Sequence, residues 1–413
     1  MNSLKIAILS YRSAPFGGGQ GIYVYELSKI LKELGHRVDI ISGPPYPMLS
    51  PDIGLIKLPG LNLFSTFKFR ERLNLFINKK NKSYDDWYEF SSTLIGGFPE
   101  LQTFGNRAHD YLRNKTYDVV IDNQSISYGA VKIQNSFPLI EIMHHPISKD
   151  YYYDLKFAKG ILQRISKIRW YSFLRMQKIS AKKIHVVVTP SLSSKEDIHL
   201  DFKVPMKNIH VIPNGIDCDI FRPLPHIKSS KNRLITTASA DVPLKGLDFS
   251  LQAIARLRSE YPEIHLVVIG SPRKEGHTER LIQKLHLENQ VSFRTNLTKE
   301  AITREYAQSE VAIVSSLYEG FGFPVGEAMA CAIPLVATNV ASIPEITDSF
   351  AQLIPAEDSD AIYQGIRNIF QNPQKYKSQA ELGREHIIDN FNWKKIGLAY
   401  EEILLKTIDD FKC

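Results

Sequence analysis

Val311-Ala312-Ile313-Val314 is followed by Glu319-Gly320-Phe321-Gly322-Phe323-Pro324-Val325-Gly326-Glu327, then by Ala328-Met329-Ala330-Cys331 and Ile333-Pro334-Leu335-Val336-Ala337-Thr338. The order reads as strand, glycine-rich turn, helix and strand. Both apolar runs are short and rich in β-branched residues, as buried strands are. The segment from Glu327 to Cys331 is mostly good helix formers. Pro324 suits a first helical turn, where its missing N–H would have had no helical partner. Gly320, Gly322 and Gly326 permit positive φ and close approach of the backbone to a ligand.

This local order also constrains chemistry. Free N–H groups at a helix start attract anions. Glu319 stands ahead of the helix and Glu327 within its first turns. One loop thus offers two carboxylates, each able to accept hydrogen bonds from hydroxyls, around an anion-binding backbone. The ligand such a loop fits has hydroxyls at both ends and phosphate between them, as a nucleotide sugar does.

The same alternation extends both ways. In the second half, Leu234–Thr237, His265–Ile269 and Val291–Phe293 also read as strands, with helices near Leu247–Glu260 and Thr278–Leu285. In the first half, Leu4–Ser10, Val38–Ser42, Val119–Ile121, Leu139–Met143, Ile184–Val188 and Ile209–Ile212 read as strands. Gly17-Gly18-Gly19-Gln20-Gly21 follows the first of these, and a helical pattern then runs from Ile22 to Leu34, closed by Gly35. Strands separated by helices predict parallel sheets covered on both faces. The proline-rich polar run from Phe221 to Asn232 reads as a linker.

With 413 residues, the chain exceeds the size at which single cores stop growing, so two domains are expected. It is 43% hydrophobic and 23% charged, an ordinary globular balance. Cys218, Cys331 and Cys413 form neither a disulfide framework nor a metal cluster, and a reducing cytoplasmic setting is expected. No apolar run has membrane-spanning length. Asp217-Cys218-Asp219 and Asp358-Ser359-Asp360 are read as coincidental, and no metal or other cofactor is expected. The Gly-x-Gly-x-x-Gly spacing fails in the first glycine loop, because Ile22 and Val24 occupy the third positions. That disfavours a nicotinamide enzyme.

The spacing of Glu319 and Glu327 resembles the motif of retaining GT-B glycosyltransferases of family GT4, and the resemblance covers nearly the whole chain. It implies a GT-B fold, an α/β architecture of two Rossmann-like doubly wound parallel-sheet domains facing across a cleft. Residues 1–222 would form the acceptor-binding domain, completed by a C-terminal helix at 393–413. Residues 223–392 would form the donor-binding domain. Several roles come from the resemblance alone. Glu327 would bind both ribose hydroxyls and Glu319 a hydroxyl of the donor sugar. Phe321, Gly322 and Phe323 would touch sugar and phosphate through backbone amides, and Gly18 and Gly19 would approach the donor phosphate. His144 would line the sugar pocket, while neighbouring His145 has no assigned role. Lys245, followed by Gly246, would neutralise the leaving diphosphate. The family usually has an arginine where this chain has Ala240, leaving Arg273 or Lys274 to stand in. Pro213-Asn214-Gly215-Ile216-Asp217 resembles a family segment and reads as a structural turn.

The implied activity is retaining transfer of a sugar from a nucleotide-diphosphate sugar, UDP favoured over GDP, to a hydroxyl acceptor. Two rival classes bear weighing: a GT-B epimerase or phosphorylase acting on sugar phosphates, and a basic nucleic-acid-binding protein. The latter is prompted by a net charge of +7. The chain lacks zinc-finger spacing and an RNP-like aromatic box, so no specific nucleic acid is expected. Residues 155–195 contain no Asp or Glu but many Lys and Arg, interleaved with Ile161, Leu162, Ile165, Ile168 and Trp170. A basic amphipathic helix of this kind suits an anionic membrane surface, with 155–183 as the contact. A solvated basic face is the alternative. The membrane reading favours a lipid-linked or surface-glycan acceptor and a peripheral position on the inner face of the cell membrane.

Overall fold

The computed structural model describes residues 3–13, 19–238 and 240–412. The chain divides into two compact units. One runs to Pro213 and resumes at Ile396; the other is Asn214–Lys395. The first boundary falls before the expected 222, for a local reason. Ile216 N–H donates to Phe391 O at 2.6 Å. Ile216 is buried in one apolar cluster with Phe321 and Val325. Gly215 lies against the Trp393 indole, where a Cβ would come within 2.4 Å of the ring. The Asn-Gly turn therefore belongs to the second unit.

The first unit holds β1 (Lys5–Ser10), β2 (Arg37–Ser42), β3 (Gly54–Lys57), β4 (Val119–Asn123), β5 (Leu139–Ile142), β6 (Val187–Thr189) and β7 (Ile209–Val211). They form one parallel sheet in the order β3-β2-β1-β4-β5-β6-β7. The second unit holds β8 (Arg233–Thr237), β9 (His265–Ile269), β10 (Val291–Arg294), β11 (Val311–Val314), β12 (Leu335–Thr338) and β13 (Gln352–Ile354). Its sheet is also parallel, in the order β10-β9-β8-β11-β12-β13. The edge strands β3 and β13 have no counterpart in the sequence reading. Each is short and half exposed, so neither has the continuous apolar run of a central strand.

Side-chain alternation explains why the central strands read as unbroken apolar runs. Val311 and Ile313 of β11 enter one core cluster, while Ala312 and Val314 enter the cluster on the opposite face. In β12, Val336 enters the first cluster, and Leu335 and Ala337 the second. Helices cover both faces.

The helix Trp393–Lys412 contributes to the first unit from Ile396 onward. Gly397 lets it approach the helix Gly19–Glu33, since a Cβ there would come within 2.5 Å of Ile30. Buried His36 and Glu401 meet at 3.3 Å, and the phenols of Tyr23 and Tyr400 at 2.5 Å.

Each sheet reverses its winding direction once, between β1 and β4 in the first unit and between β8 and β11 in the second. Open α/β sheets bind ligands at the carboxyl ends of the strands beside such a switch point. Asn123 ends β4, and His144 follows β5 next to it. Lys245 follows β8 and Glu319 follows β11. The topology thus puts the predicted His144, Lys245 and Glu319, with Asn123 beside them, at the carboxyl ends where such sheets bind ligands.

Candidate active site

In the second unit, two loops are stitched together. Ser315 Oγ donates to Gly246 O at 3.0 Å, and Leu317 N–H to Leu244 O at 2.7 Å. Gly246 has φ +61°, and a Cβ there would lie 1.9 Å from Ser315 O, so a side chain would collide with backbone. This explains the Lys-Gly pair: only glycine lets the loop after β8 close onto the loop after β11. Closure brings Lys245 Nζ to 2.7 Å from Glu319 Oε1.

Glu319 is buried, at 8% exposure, and its Oε1 also accepts from Ser316 Oγ at 2.7 Å. The turn beyond it hangs on Ser342, whose Oγ lies 2.9 Å from Glu319 O and 2.7 Å from Phe321 O. Gly322, at φ +97°, caps the helix Phe323–Ala330, with Pro324 in its first turn. Among the described residues, the N–H groups of Phe321, Gly322 and Phe323 find no acceptor. They are free for an anion.

Glu327 lies on this helix and is buried. Burial pushes its carboxyl up to about 7, and the charge of Lys299 only partly offsets this. No described residue donates a hydrogen bond to it. Tyr306 lies beside it, with its phenol 3.1 Å from Thr237 Oγ1 and raised well above its ordinary range by burial and then by the Glu327 charge. A desolvated carboxyl without donors keeps open acceptor capacity for hydroxyl groups.

Ala240 is buried and supplies no charge. The adjacent Asp241, at φ +59°, accepts from Arg273 N–H and Thr278 N–H, each at 2.8 Å. That tethers the loop after β9 beside the end of β8. Asp241 is held below its usual range despite partial burial, because these amides, the Thr278 side chain and the Arg273 guanidinium favour its charged form. The Arg273 guanidinium is among the groups that hold Asp241 ionised.

In the first unit, Gln124 clamps the His144-His145 dipeptide. Its Oε1 accepts from His144 N–H at 2.6 Å, and its Nε2 donates to His145 O at 3.0 Å. His144 Nε2 lies 2.8 Å from Asn123 Oδ1. Burial, then the neighbouring His145, pulls His144 down to about 3, so the ring is neutral. With a carbonyl oxygen as partner, Nε2 carries the proton and Nδ1 remains an acceptor. His145 turns away to Asp150, at 2.6 Å. Gly17 and Gly18 lie outside the described residues, and Gly19 begins the helix that follows β1.

Neither Asp-x-Asp pair joins these groups. Asp217 lies 3.7 Å from Lys299, Asp358 caps a helix, and Asp360 pairs with Arg256. Gln124, Asn123, Ser316 and Ser342 went unnoticed in the sequence. Their signal was weak but present: each lies at or just beyond the carboxyl end of a strand.

Each parallel sheet gathers polar groups at its switch point, and comparisons identify the class of protein. The family described as Glycosyltransferase Family 4 matches residues 17–220, and Glycosyl transferases group 1 matches residues 224–386. An MMP alpha-(1->4)-mannosyltransferase from Mycolicibacterium hassiacum is 36% identical over 98% of both chains. A GDP-mannose-dependent alpha-(1-6)-phosphatidylinositol monomannoside mannosyltransferase from Mycolicibacterium smegmatis is 24% identical over 48% of this chain and 57% of its own. Among solved structures, sucrose-phosphate synthase from Thermosynechococcus elongatus superposes with a TM-score of 0.75 over 98% of this chain and all of its own (100%), at 22% identity. Anabaena HepE in complex with UDP-glucose gives 0.69 over 98% of this chain and 100% of its own, at 16% identity.

The chain belongs to the GT4 glycosyltransferases and has the GT-B fold. It is a glycosyltransferase acting on nucleotide sugars. Among its described residues, no helix is long and apolar enough to cross a membrane.

Proposed function

We propose that this chain transfers a mannosyl residue from a nucleoside-diphosphate mannose to a glycan or lipid-linked hydroxyl, with retention at the anomeric carbon. The observation that carries the reading is the corner at the second switch point, where Lys245, Glu319 and the free amides of Phe321–Phe323 converge. The mannosyl group comes from the names of the relatives. The guanosine donor is taken from the GDP-mannose-dependent relative, in place of the uridine donor expected from the sequence.

The roles follow from charge and geometry. Glu327 receives the ribose hydroxyls. Glu319 exchanges its bond with Lys245 for one with a hydroxyl of the sugar, releasing Lys245 toward the diphosphate. Arg273 supplies the second positive charge that Ala240 lacks. His144 offers Nδ1 to the sugar. Gly18 and Gly19 keep the role implied by the resemblance, backbone contacts for the donor phosphate. The bond from the anomeric carbon to the diphosphate oxygen breaks as the acceptor oxygen attacks on the same face. The acceptor proton passes to the departing phosphate oxygen, and fixed cations and amides stabilise the charge that develops there.

The acceptor reading rests on the helix Ile161–Trp170, which has no buried residue and exposes Ile161 at 74% and Leu162 at 80%. It supports residues 155–183 as a contact with an anionic bilayer on the cytoplasmic face.

The test is a panel of GDP-mannose, UDP-glucose and UDP-N-acetylglucosamine. Binding is read by thermal shift, and product configuration by NMR with a mannan oligosaccharide as acceptor. GDP-mannose should bind best and give an α-linked product. A β-linked product, or binding of none of these donors, overturns the reading.

A further inference from the structure

We propose that Tyr23 is a positioning residue that fixes the plane of the His144 imidazole, and that the phenol of Tyr400 holds Tyr23 in place. The proposal rests on the reading of His144 as a group beside the transferred sugar.

Among the described residues, one side-chain hydrogen bond holds the His144 ring, between Nε2 and Asn123 Oδ1. A single bond at one corner leaves the ring free to tilt about that corner. The missing restraint is a wall, and Tyr23 supplies it. The two ring centroids are 4.6 Å apart with planes at 84°, an edge-to-face contact. Tyr23 sits in the first turns of the helix Gly19–Glu33, beside the glycine loop, and is 1% exposed.

A phenol that deeply buried requires a partner. It has one far along the chain: the Tyr400 hydroxyl at 2.5 Å, itself 1% exposed. Tyr400 lies on the helix Trp393–Lys412, pinned on either side of it. Gly397 packs against Ile30, and Glu401 meets His36 at 3.3 Å. The last helix of the chain therefore sets the position of the imidazole from behind, through two phenols. A tyrosine placed here for bulk alone would need no hydroxyl, and a phenylalanine would fill the same space. The buried hydroxyl pair defines one rotamer for Tyr23 and hence one face for His144.

The test compares Tyr23→Leu, Tyr23→Phe, Tyr400→Phe, the Tyr23→Phe/Tyr400→Phe double variant and His144→Ala, all in the full chain. Steady-state kinetics with GDP-mannose and thermal midpoints are measured for each. Tyr23→Leu should lower kcat about tenfold with donor KM within about twofold, as misplacement of a reacting group does. Tyr23→Phe keeps the ring but breaks the same hydroxyl pair, so it should lower the midpoint as Tyr400→Phe does and lower kcat less than Tyr23→Leu does. Tyr400→Phe removes the bond between the two hydroxyls and should lower both kcat and the midpoint. The double variant removes both hydroxyls and should recover most of that loss.

Wild-type kcat in Tyr23→Leu overturns the proposal. So does a loss in Tyr23→Leu that merely equals the fraction of protein unfolded by circular dichroism. If Tyr23→Leu fails to fold, the Tyr400→Phe and double-variant comparison decides alone, and absence of recovery overturns the proposal. Unchanged turnover in His144→Ala removes the underlying reading instead, so the two failures are distinguishable.

Discussion

Lys245 Nζ lies 2.7 Å from Glu319 Oε1, so two groups suited to opposite parts of a donor neutralise each other. Glu319 is buried and Lys245 is partly open, with side-chain exposures of 10% and 26%. On the proposed roles, a sugar hydroxyl that took the carboxylate would free the ammonium for phosphate.

Separating the partners tests this. Lys245→Ala should cut kcat by at least about 100-fold, the scale of losing one charge-stabilising group. It should also cost about 1–2 kcal/mol of stability, less than a fully buried pair because Lys245 is partly solvated. Adding Glu319→Gln should restore the stability but not the turnover. Chemical denaturation and initial rates read the two effects separately.

If Glu327 receives the ribose hydroxyls as proposed, nucleotide affinity should depend on pH. Its carboxyl is raised by burial from 4.5 to about 7, so the folded protein holds the proton more tightly than the unfolded chain. Its stabilising contribution is greatest below the unfolded value and is lost as pH rises toward 7. Binding has the opposite sign, because the ionised form accepts ribose hydroxyls best. Nucleotide affinity should rise about tenfold between about pH 6 and about pH 8. Glu327→Gln should weaken binding about 10- to 100-fold and flatten that slope. Calorimetry at several pH values checks both.

Gly246→Ala meets two obstacles at once, a left-handed backbone and the Ser315 carbonyl 1.9 Å from the new methyl group. Stability should fall by about 2 kcal/mol or more. Because the same contact aims Lys245, kcat should fall even at temperatures where the variant is fully folded. Thermal denaturation and rates below the transition separate the two losses.

The strands and the Glu319–Glu327 turn were legible because each is local. Val311–Val314 and Leu335–Thr338 are buried on both faces, so every residue is apolar or small and the run needs no partner to be read. Pro324 and Gly322 announce the helix start within a few positions. What was not legible depends on closure over long separations. The contact of Lys245 with Glu319 is one case. The bond of Tyr23 to Tyr400 is the extreme one, since two tyrosines in amphipathic helices are indistinguishable from ordinary core. The edge strands β3 and β13 lacked an apolar run because only one neighbour buries them. The boundary at Pro213 was hidden because the linker's composition begins only after the turn has packed against Phe391 and Trp393.

The helix Ile161–Trp170 combines a stripe of Ile161, Ile165 and Ile168 with Arg164 and Arg169, and none of its residues is buried. Lys167, counted with its basic residues in the sequence, is paired with Asp154 at 2.7 Å, so its charge is already answered. Lys159, Arg164 and Arg169 are therefore the cations to remove. Replacing all three by Gln should reduce sedimentation with vesicles containing about one-third anionic lipid several-fold, with the residual binding insensitive to salt. Ile161→Ser/Leu162→Ser should reduce binding at low and high salt alike, because it removes apolar insertion rather than attraction. Turnover on a short soluble acceptor should stay unchanged in both variants. If vesicle binding survives both changes, this helix is a solvated face, and the acceptor reaches the enzyme without a bilayer.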